Sequence, residues 1–231
     1  MLFLASSSNR KTRGTASRLE RAIARVLVVA MIGITPGSVF AGDEFPDADN
    51  AILHTEGSIN NNAPGLTVID SLESQGLATW PTGINQGVDN TLRIDQPSAD
   101  STFTNQVNEN FTAHLDGTLL SNGNVVIASP FGIFLGATAV LDVGSLLAIG
   151  GSITTADYSN RPDLELTGDV ENYGTITADR NVLFYGRDVE NHGTISAGTG
   201  EILMLGAESV YFRDADVDSI AKDDESSFID P

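Results

Sequence analysis

The acidic residues near the C-terminal end are the side chains in this sequence best placed to do chemistry. The segment RDADVD puts Asp214, Asp216 and Asp218 at alternate positions, so their carboxylates share one face of an extended strand. Paired carboxylates are the groups with which enzymes cleave glycosidic bonds, and Arg or Lys neutralises the charge of anionic sugars. A polysaccharide lyase or hydrolase is therefore one function to weigh, and a non-catalytic protein is the other.

Other residue types give no support to catalysis or metal binding. The three histidines, His54, His114 and His192, are scattered along the chain and do not indicate a transition-metal site. The acids lack the Gly-Gly-x-Gly-x-Asp repeat and the EF-hand spacing of calcium sites. No nucleophile–base pair and no phosphate loop can be identified. The sequence thus predicts no cofactor, no metal and no catalytic residue.

The N-terminal segment has the pattern of a secretory signal peptide. The apolar core VLVVAMIGI (Val26–Ile34) is followed by Pro36-Gly37 and then by Val39-Phe40-Ala41, with small residues at the cleavage positions. This core is too short for the ~20 residues of a membrane span, so we predict no stable span and cleavage between Ala41 and Gly42. The basic residues that precede the core are Arg10, Lys11, Arg13, Arg18, Arg21 and Arg25.

Removal of residues 1–41 makes the charge of the chain strongly negative. Six of the 12 basic residues and one of the 31 acidic residues precede residue 42, which leaves 6 basic and 30 acidic residues and a formal charge of −24. Nucleic acids and anionic membranes bind clustered Lys and Arg, so neither is an expected partner. A polyanionic sugar would also be repelled, which counts against the enzyme. The carboxylates are expected to form a solvated surface that resists aggregation.

The chain contains no cysteine. For an exported protein this excludes a disulfide framework, so stability must come from backbone pairing and apolar burial. The absence also suits a protein that crosses a second membrane unfolded, because a disulfide would block threading.

The order of the remaining residues indicates an all-β protein with an internal repeat. From about residue 64 onward, short runs rich in Val, Ile, Leu and Phe alternate with Gly, Asn and Asp, and no helical period is sustained. The sequence of Val170–Ile176 returns nineteen residues later as Val189–Ile195, and Gly117 and Gly136 are also nineteen apart. This period is half that of a propeller blade and lacks the leucine-rich frame, so a parallel β-helix is predicted.

Each repeat is then one rung of 19–20 residues, and equivalent side chains stack about 4.8 Å apart. Ile176 is expected beneath Ile195, in a continuous core. Asn172 and Asn191 either form a hydrogen-bonded ladder or each start an Asn-x-Gly turn, and the sequence favours neither. His192 replaces a tyrosine of the repeat and is expected to face outward. Trp80 is expected to pack in the N-terminal cap.

The segment Leu92–Thr154 carries a more specific pattern. Gln96-Pro97 is followed by Gly117-Thr118-Leu119, then by Asn122-Gly123, by SPFGI (Ser129–Ile133) and by VLDVGSLLAI. In this combination the chain resembles the two-partner secretion domain, or haemagglutination activity domain, of filamentous-haemagglutinin-like exoproteins. The likeness covers residues 64–213 and is strongest over 92–154.

The resemblance implies a right-handed parallel β-helix with an N-terminal cap and no catalytic activity. It implies that a β-barrel transporter in the outer membrane recognises the unfolded chain through periplasmic POTRA domains. The chain would then fold outside as a secreted or cell-surface, adhesin-like passenger that can bind a host or cell-surface receptor. The recognition and turn residues carried over are Asn122, Gly123, Ser129, Pro130, Phe131, Gly132 and Ile133.

This chain departs from the family's Asn-Pro-Asn-Gly-Ile loop, since Ser129 and Phe131 replace both asparagines. The turn is expected to be looser, although Pro130 fixes φ, Gly132 can take a positive φ, and Ser129 can accept a local hydrogen bond.

The predicted organisation has four parts. A signal peptide (1–41) and a polar arm (42–63) precede the β-helix domain (64–213), and an acidic tail (214–231) follows it. The cap and the first coils are expected within residues 64–115.

Overall fold

The computed structural model describes residues 51–153 and 163–211, and in these residues every regular element is a β-strand. Three sheets run side by side along one axis, and consecutive strands of the chain pass from one sheet to the next. Within each sheet, strands of successive rungs pair in parallel, so the predicted parallel β-helix is confirmed. The predicted signal peptide and acidic tail, with Asp214, Asp216 and Asp218, lie outside the described residues.

The three sheets are called faces 1, 2 and 3. Face 1 contains, in spatial order, β1 (Ile52–Leu53), β4 (Gln75–Trp80), β7 (Thr102–Val107), β10 (Asn124–Ala128), β13 (Ser145–Ile149), β17 (Val182–Gly186) and β20 (Ile202–Gly206). Face 2 contains β5 (Ile84–Gln86), β8 (Ala113–Leu115), β11 (Ile133–Leu135), β15 (Val170–Asn172) and β18 (Val189–Asn191). Face 3 contains β2 (Gly57–Ala63), β3 (Leu66–Ser71), β6 (Thr91–Asp95), β9 (Thr118–Ser121), β12 (Val140–Val143), β16 (Thr175–Ala178) and β19 (Thr194–Ala197).

The register of the last two rungs matches the sequence repeat. Val170 pairs with Val189 and Ile176 with Ile195, nineteen residues apart, whereas Val182 pairs with Ile202, twenty residues apart. The alternation along each strand places every second side chain inside, so Ile176 is fully buried. The predicted rung length and the predicted stacking are therefore confirmed for this part of the helix.

Earlier rungs are longer than the repeat. Thr118 pairs with Val140, an offset of 22 residues, so the rung counterpart of Gly117 is Ala139 and the nineteen-residue spacing of Gly117 and Gly136 is not the structural register. Extra residues in the corner between β11 and β12 break the period without breaking the sheets.

The N-terminal end of the helix is covered by antiparallel strands. β1 pairs with β4 on face 1, and β2 pairs with β3 on face 3. These covering strands belong to residues 52–63, which the sequence indicated as a polar arm, and so the cap starts earlier in the chain than expected.

Two ring side chains pack at this end of the helix. The His54 ring lies 2.9 Å from the Thr79 hydroxyl, and partial burial lowers the pKa of His54. Trp80 ends β4 and is fully buried, with Nε1 donating to Asn105 Oδ1.

A second apolar layer lies outside face 1. β14 (Asp163–Glu165) follows β13, and β21 (Ser209–Tyr211) follows β20; the two pair in antiparallel fashion. This pair packs Leu164 and Val210 against outward-facing side chains of β10, β13 and β17, among them Leu147 and Tyr185. Burial there raises the pKa of Tyr185.

The C-terminal end of the described helix is open. β18, β19 and β20 are the last strands of their faces, and no described strand pairs with their free edges. Ile195 is only partly buried, in contrast to Ile176 one rung earlier. Among the described residues no helix is long and apolar enough to cross a membrane.

Candidate recognition site

Asn122 joins two successive rungs at the corner between face 3 and face 1. Its Oδ1 accepts a hydrogen bond from the Gln96 backbone N–H at 2.8 Å, and its Nδ2 donates to the Gln96 carbonyl at 2.7 Å. The side-chain amide thus pairs with a backbone in the way that a neighbouring strand would. Gln96 and Asn122 are 26 residues apart in sequence, and the structure brings them together at one corner.

The Gln96 side chain is buried beneath this corner. Its Nε2 donates to Ser121 Oγ at 2.8 Å and to the Asn124 carbonyl at 3.0 Å. A Cβ added to Gly123 would lie 2.7 Å from Gln96 Nε2, so only glycine leaves room for the amide. Gln96 Oε1 is buried without a hydrogen-bond partner. Ser121 was not singled out from the sequence, because two of its partners, Gln96 and Ile94, belong to the preceding rung.

The segment Ser129–Gly132 forms a closed turn at the corner between face 1 and face 2. Gly132 N–H donates to the Ser129 carbonyl at 3.1 Å, across Pro130 and Phe131. The sequence predicted that the Ser129 side chain accepts a local hydrogen bond, and this prediction is wrong: its Oγ donates to the Phe111 carbonyl at 3.0 Å. The turn is therefore held by a contact to the preceding rung and is not loose.

The end of this turn is fixed by the following rung. Gly132 has a φ of +107°, as the sequence predicted. Ile133 N–H donates to the Asp169 carbonyl at 2.8 Å, and Ile133 itself is a core residue. The Asp169 carboxylate accepts two hydrogen bonds from the Arg187 guanidinium, at 3.1 and 2.8 Å. These hydrogen bonds and the negative charge of Asp169 raise the pKa of Arg187.

The predicted recognition residues thus form two corner groups and not one cluster. The groups lie at opposite ends of β10, whose five residues span roughly 16 Å. Gly123, Ser129, Gly132 and Ile133 are buried, whereas Asn122 is exposed. Phe131 is 58% exposed. A partner that meets the folded domain can therefore contact only a small part of the motif.

The repeated Asn residues make both of the arrangements that the sequence left open. Asn172 Nδ2 donates to Asn191 Oδ1 at 2.7 Å, which is one step of a ladder. Asn172 Oδ1 also accepts from Gly174 N–H at 3.1 Å, which is the local turn. The Asn side chain has separate donor and acceptor groups, so the two roles do not compete.

Outside face 2, four aromatic rings form a continuous column. Tyr173 stacks on His192, with ring centroids 4.8 Å apart and an interplanar angle of 15°. His192 therefore faces outward, as expected. The rings in spatial order are His114, Phe134, Tyr173 and His192.

The two histidines of this column do not share a ligand site. His114 contacts the carboxylate of Asp116, and His192 contacts that of Glu190. Groups of His, Asp and Glu suited to a metal ion do not occur among the described residues.

Replacing Asn122 with Ala should destabilise the first corner. The change leaves the N–H and the carbonyl of Gln96 without their protein partner, and we expect a loss of about 1–2 kcal/mol in the free energy of unfolding. Urea unfolding checks this value. Asn85→Ala is the matched control, because Asn85 is an exposed residue of β5 that faces outward. Equal stability of the two variants would contradict a structural role for the Asn122 amide.

The fold is similar to that of a solved secretion domain. It matches the crystal structure of the HMW1 secretion domain from Haemophilus influenzae with a TM-score of 0.58 and 21% sequence identity, over 71% of this chain and 48% of that chain. This chain thus spans about half the length of that structure. Neither the family models nor the curated protein sequences compared with the chain give a match.

The similarity confirms at the level of fold the resemblance to two-partner secretion domains that the sequence indicated. The HMW1 structure is that of a secretion domain. At this identity the comparison establishes the parallel β-helix alone, and the transporter and the export route are matters of proposed function.

Proposed function

We propose that the chain is an exported, non-catalytic passenger whose β-helical domain, residues 64–213, is recognised by an outer-membrane β-barrel transporter with periplasmic POTRA domains. The passenger is then released or displayed at the cell surface, where it acts as an adhesin. The observation that carries the proposal is the fold shared with a secretion domain. It is supported by the resemblance of segment 92–154 to the motifs of such domains.

The burial of the motif supports recognition of the chain before it folds. Ser129 and Gly132 are buried at the second corner, and Gly123 is buried at the first. A transporter that reads these residues needs the chain in an extended state. Parallel pairing between rungs closes contacts of long sequence separation, which fold slowly, so the chain stays accessible during transit.

The surface of the folded domain fits an adhesive role better than an enzymatic one. Arg93, Arg180 and Arg187 are the basic residues among those described, and each contacts a carboxylate. The described surface therefore offers no unpaired cation to an anionic sugar. A receptor for this surface is expected to be neutral or basic.

The direct test is expression with and without an outer-membrane β-barrel transporter of the two-partner type from the same genome. We expect the protein in the medium or on the cell surface only when the transporter is present, with N-terminal sequencing showing Gly42 as the first residue. Export that is indifferent to the transporter would refute the proposal. Sugar cleavage that is lost in Asp214→Asn or Asp216→Asn would favour a polysaccharide-active enzyme in its place.

A change at Phe131 tests the role of the turn in recognition by the transporter separately from its role in folding. Its side chain is 58% exposed, so Phe131→Ala should leave stability unchanged while reducing transporter-dependent export several-fold. Val88→Ala is the matched control, because Val88 is also 58% exposed and lies outside the motif. Equal export of both variants would remove Phe131 from the recognition motif.

A further inference from the structure

Within the described residues, the outer edge of β20 has no strand partner, and it combines unpaired backbone groups with an apolar surface. β20 pairs with β17 through five residues and is the last strand of the seven-stranded face 1. Half of its backbone N–H and carbonyl groups therefore face away from the helix. Such an edge can accept another strand by hydrogen bonding.

Both sides of this strand are apolar. Ile202 and Met204 continue the inner columns of Val182 and Phe184 and are 46% and 45% exposed. Leu203 and Leu205 continue the outer apolar layer and are also exposed. Leu183, the neighbour of Leu203 one rung earlier, is nearly buried. A strand added beyond β20 would bury Leu203 in the same way.

Acidic residues stand at both ends of the strand. Glu201 directly precedes Ile202, and Glu208 follows Gly206 by two positions. Both side chains are exposed, and neither forms an ion pair within the described residues. The edge is therefore an apolar strip between two negative charges.

We propose that β20 binds, by strand addition, an extended segment of another protein that has apolar residues at its centre and basic residues at both ends. The apolar residues would cover Ile202 to Leu205, and the basic residues would meet Glu201 and Glu208. This site belongs to the folded domain, so it is independent of how the unfolded chain is recognised for export.

A second copy of the chain is a poorer occupant. The chain has a formal net charge of −19, and its described basic residues Arg93, Arg180 and Arg187 already contact carboxylates. A second β20 would also bring its own Glu201 and Glu208 to the interface. Like charges placed together at an interface oppose association.

The test uses the purified protein and three labelled peptides. The first carries the sequence of Val182–Gly186, the strand that β20 already pairs with, between two lysines at each end. The second replaces the lysines with glutamates, and the third keeps the lysines but has proline at the second and fourth positions of the strand. Fluorescence anisotropy measures binding at low and high salt. Hydrogen exchange of the β20 amides locates the site.

We expect the lysine peptide to bind about tenfold more tightly than the glutamate peptide at low salt, from favourable and unfavourable charge pairs at both ends. The proline peptide should not bind, because it lacks the N–H groups of a strand. The double variant Glu201→Lys, Glu208→Lys should invert the preference between the first two peptides. Asp89→Lys with Asp142→Lys, a charge-matched change at exposed positions elsewhere, should preserve it.

Binding that ignores the peptide charge or the prolines would overturn the proposal, as would protection of a region other than β20. Absence of binding by every peptide up to millimolar concentration would overturn it as well. Reversible dimers in sedimentation experiments, abolished by Leu203→Asp, would assign the edge to a second copy instead.

Discussion

Replacing Ile176 with Asp is expected to unfold the domain, whereas Ile195→Asp, one rung later in the same column, should leave it folded. Ile176 is fully buried in the main core, between Leu141 and Ile195. Ile195 is only partly buried, because no described rung follows it. From the sequence alone, Ile195→Asp is expected to be strongly destabilising. Because Ile195 is only partly buried at the open end, we expect a smaller loss of stability.

The size of the effect follows from burial of a carboxylate. An unpaired charge in such a core costs several kcal/mol, in addition to the loss of the isoleucine contacts. A domain of this kind has a total stability of about 5–15 kcal/mol, so Ile176→Asp removes most of it. At Ile195 the carboxylate can reach water through the open end, and we expect a loss of about 1–2 kcal/mol.

Circular dichroism and urea unfolding of the two variants measure this difference. Thr175→Asp is the control on the same strand, since Thr175 faces outward and is exposed. If Ile176→Asp unfolds at the same urea concentration as the parent, the column is not a core. Equal losses at both positions would show that the terminal rung is covered in solution.

Replacing Gly132 with Val is expected to have the second largest effect. At a φ of +107° a β-branched residue is strained, and an added Cβ would lie 2.9 Å from the Asp169 carbonyl oxygen. That carbonyl accepts the Ile133 hydrogen bond, so the turn cannot move aside without losing the start of β11. Strain and lost pairing together should cost about 3–4 kcal/mol.

The matched control is Gly87→Val. A Cβ at Gly87 meets only the Asn90 side-chain nitrogen, at 3.5 Å, and no positive φ is recorded there. Urea unfolding of the purified variants measures stability, and pulse–chase secretion with the transporter measures export. We expect Gly132→Val to impair either export or folding after release, and any released protein to be degraded by added protease. Parental stability of Gly132→Val would contradict the turn geometry.

The repeat in Val170–Ile195 made the β-helix predictable, because inward residues recur at a fixed period wherever the corners have constant length. The same reasoning failed for Gly117 and Gly136, since the corner before β12 contains extra residues that a fixed period cannot accommodate. The cap strand β2 (Gly57–Ala63) was missed for a different reason. Its sequence GSINNNA is polar, because an end strand has little core to face.

The corner contacts could not be predicted from local patterns, because their partners come from other rungs. The Asn122 amide pairs with the backbone N–H and carbonyl of a residue 26 positions earlier. Because these backbone groups do not depend on the type of side chain, the sequence carries no signal for the contact. Arg180 similarly reaches Asp100 and Asn124, from which it is separated by 80 and 56 residues. Only the stacking of rungs places these groups within hydrogen-bonding distance.

The unequal ends of the helix give assembly a direction. At the first end, β1 and β2 run antiparallel and occupy two of the three sheet edges, so a parallel rung cannot be added there. At the other end, all three edges remain free within the described chain. Within the described residues, a further parallel rung can therefore join only at the second end, as in a polymer with one blocked terminus.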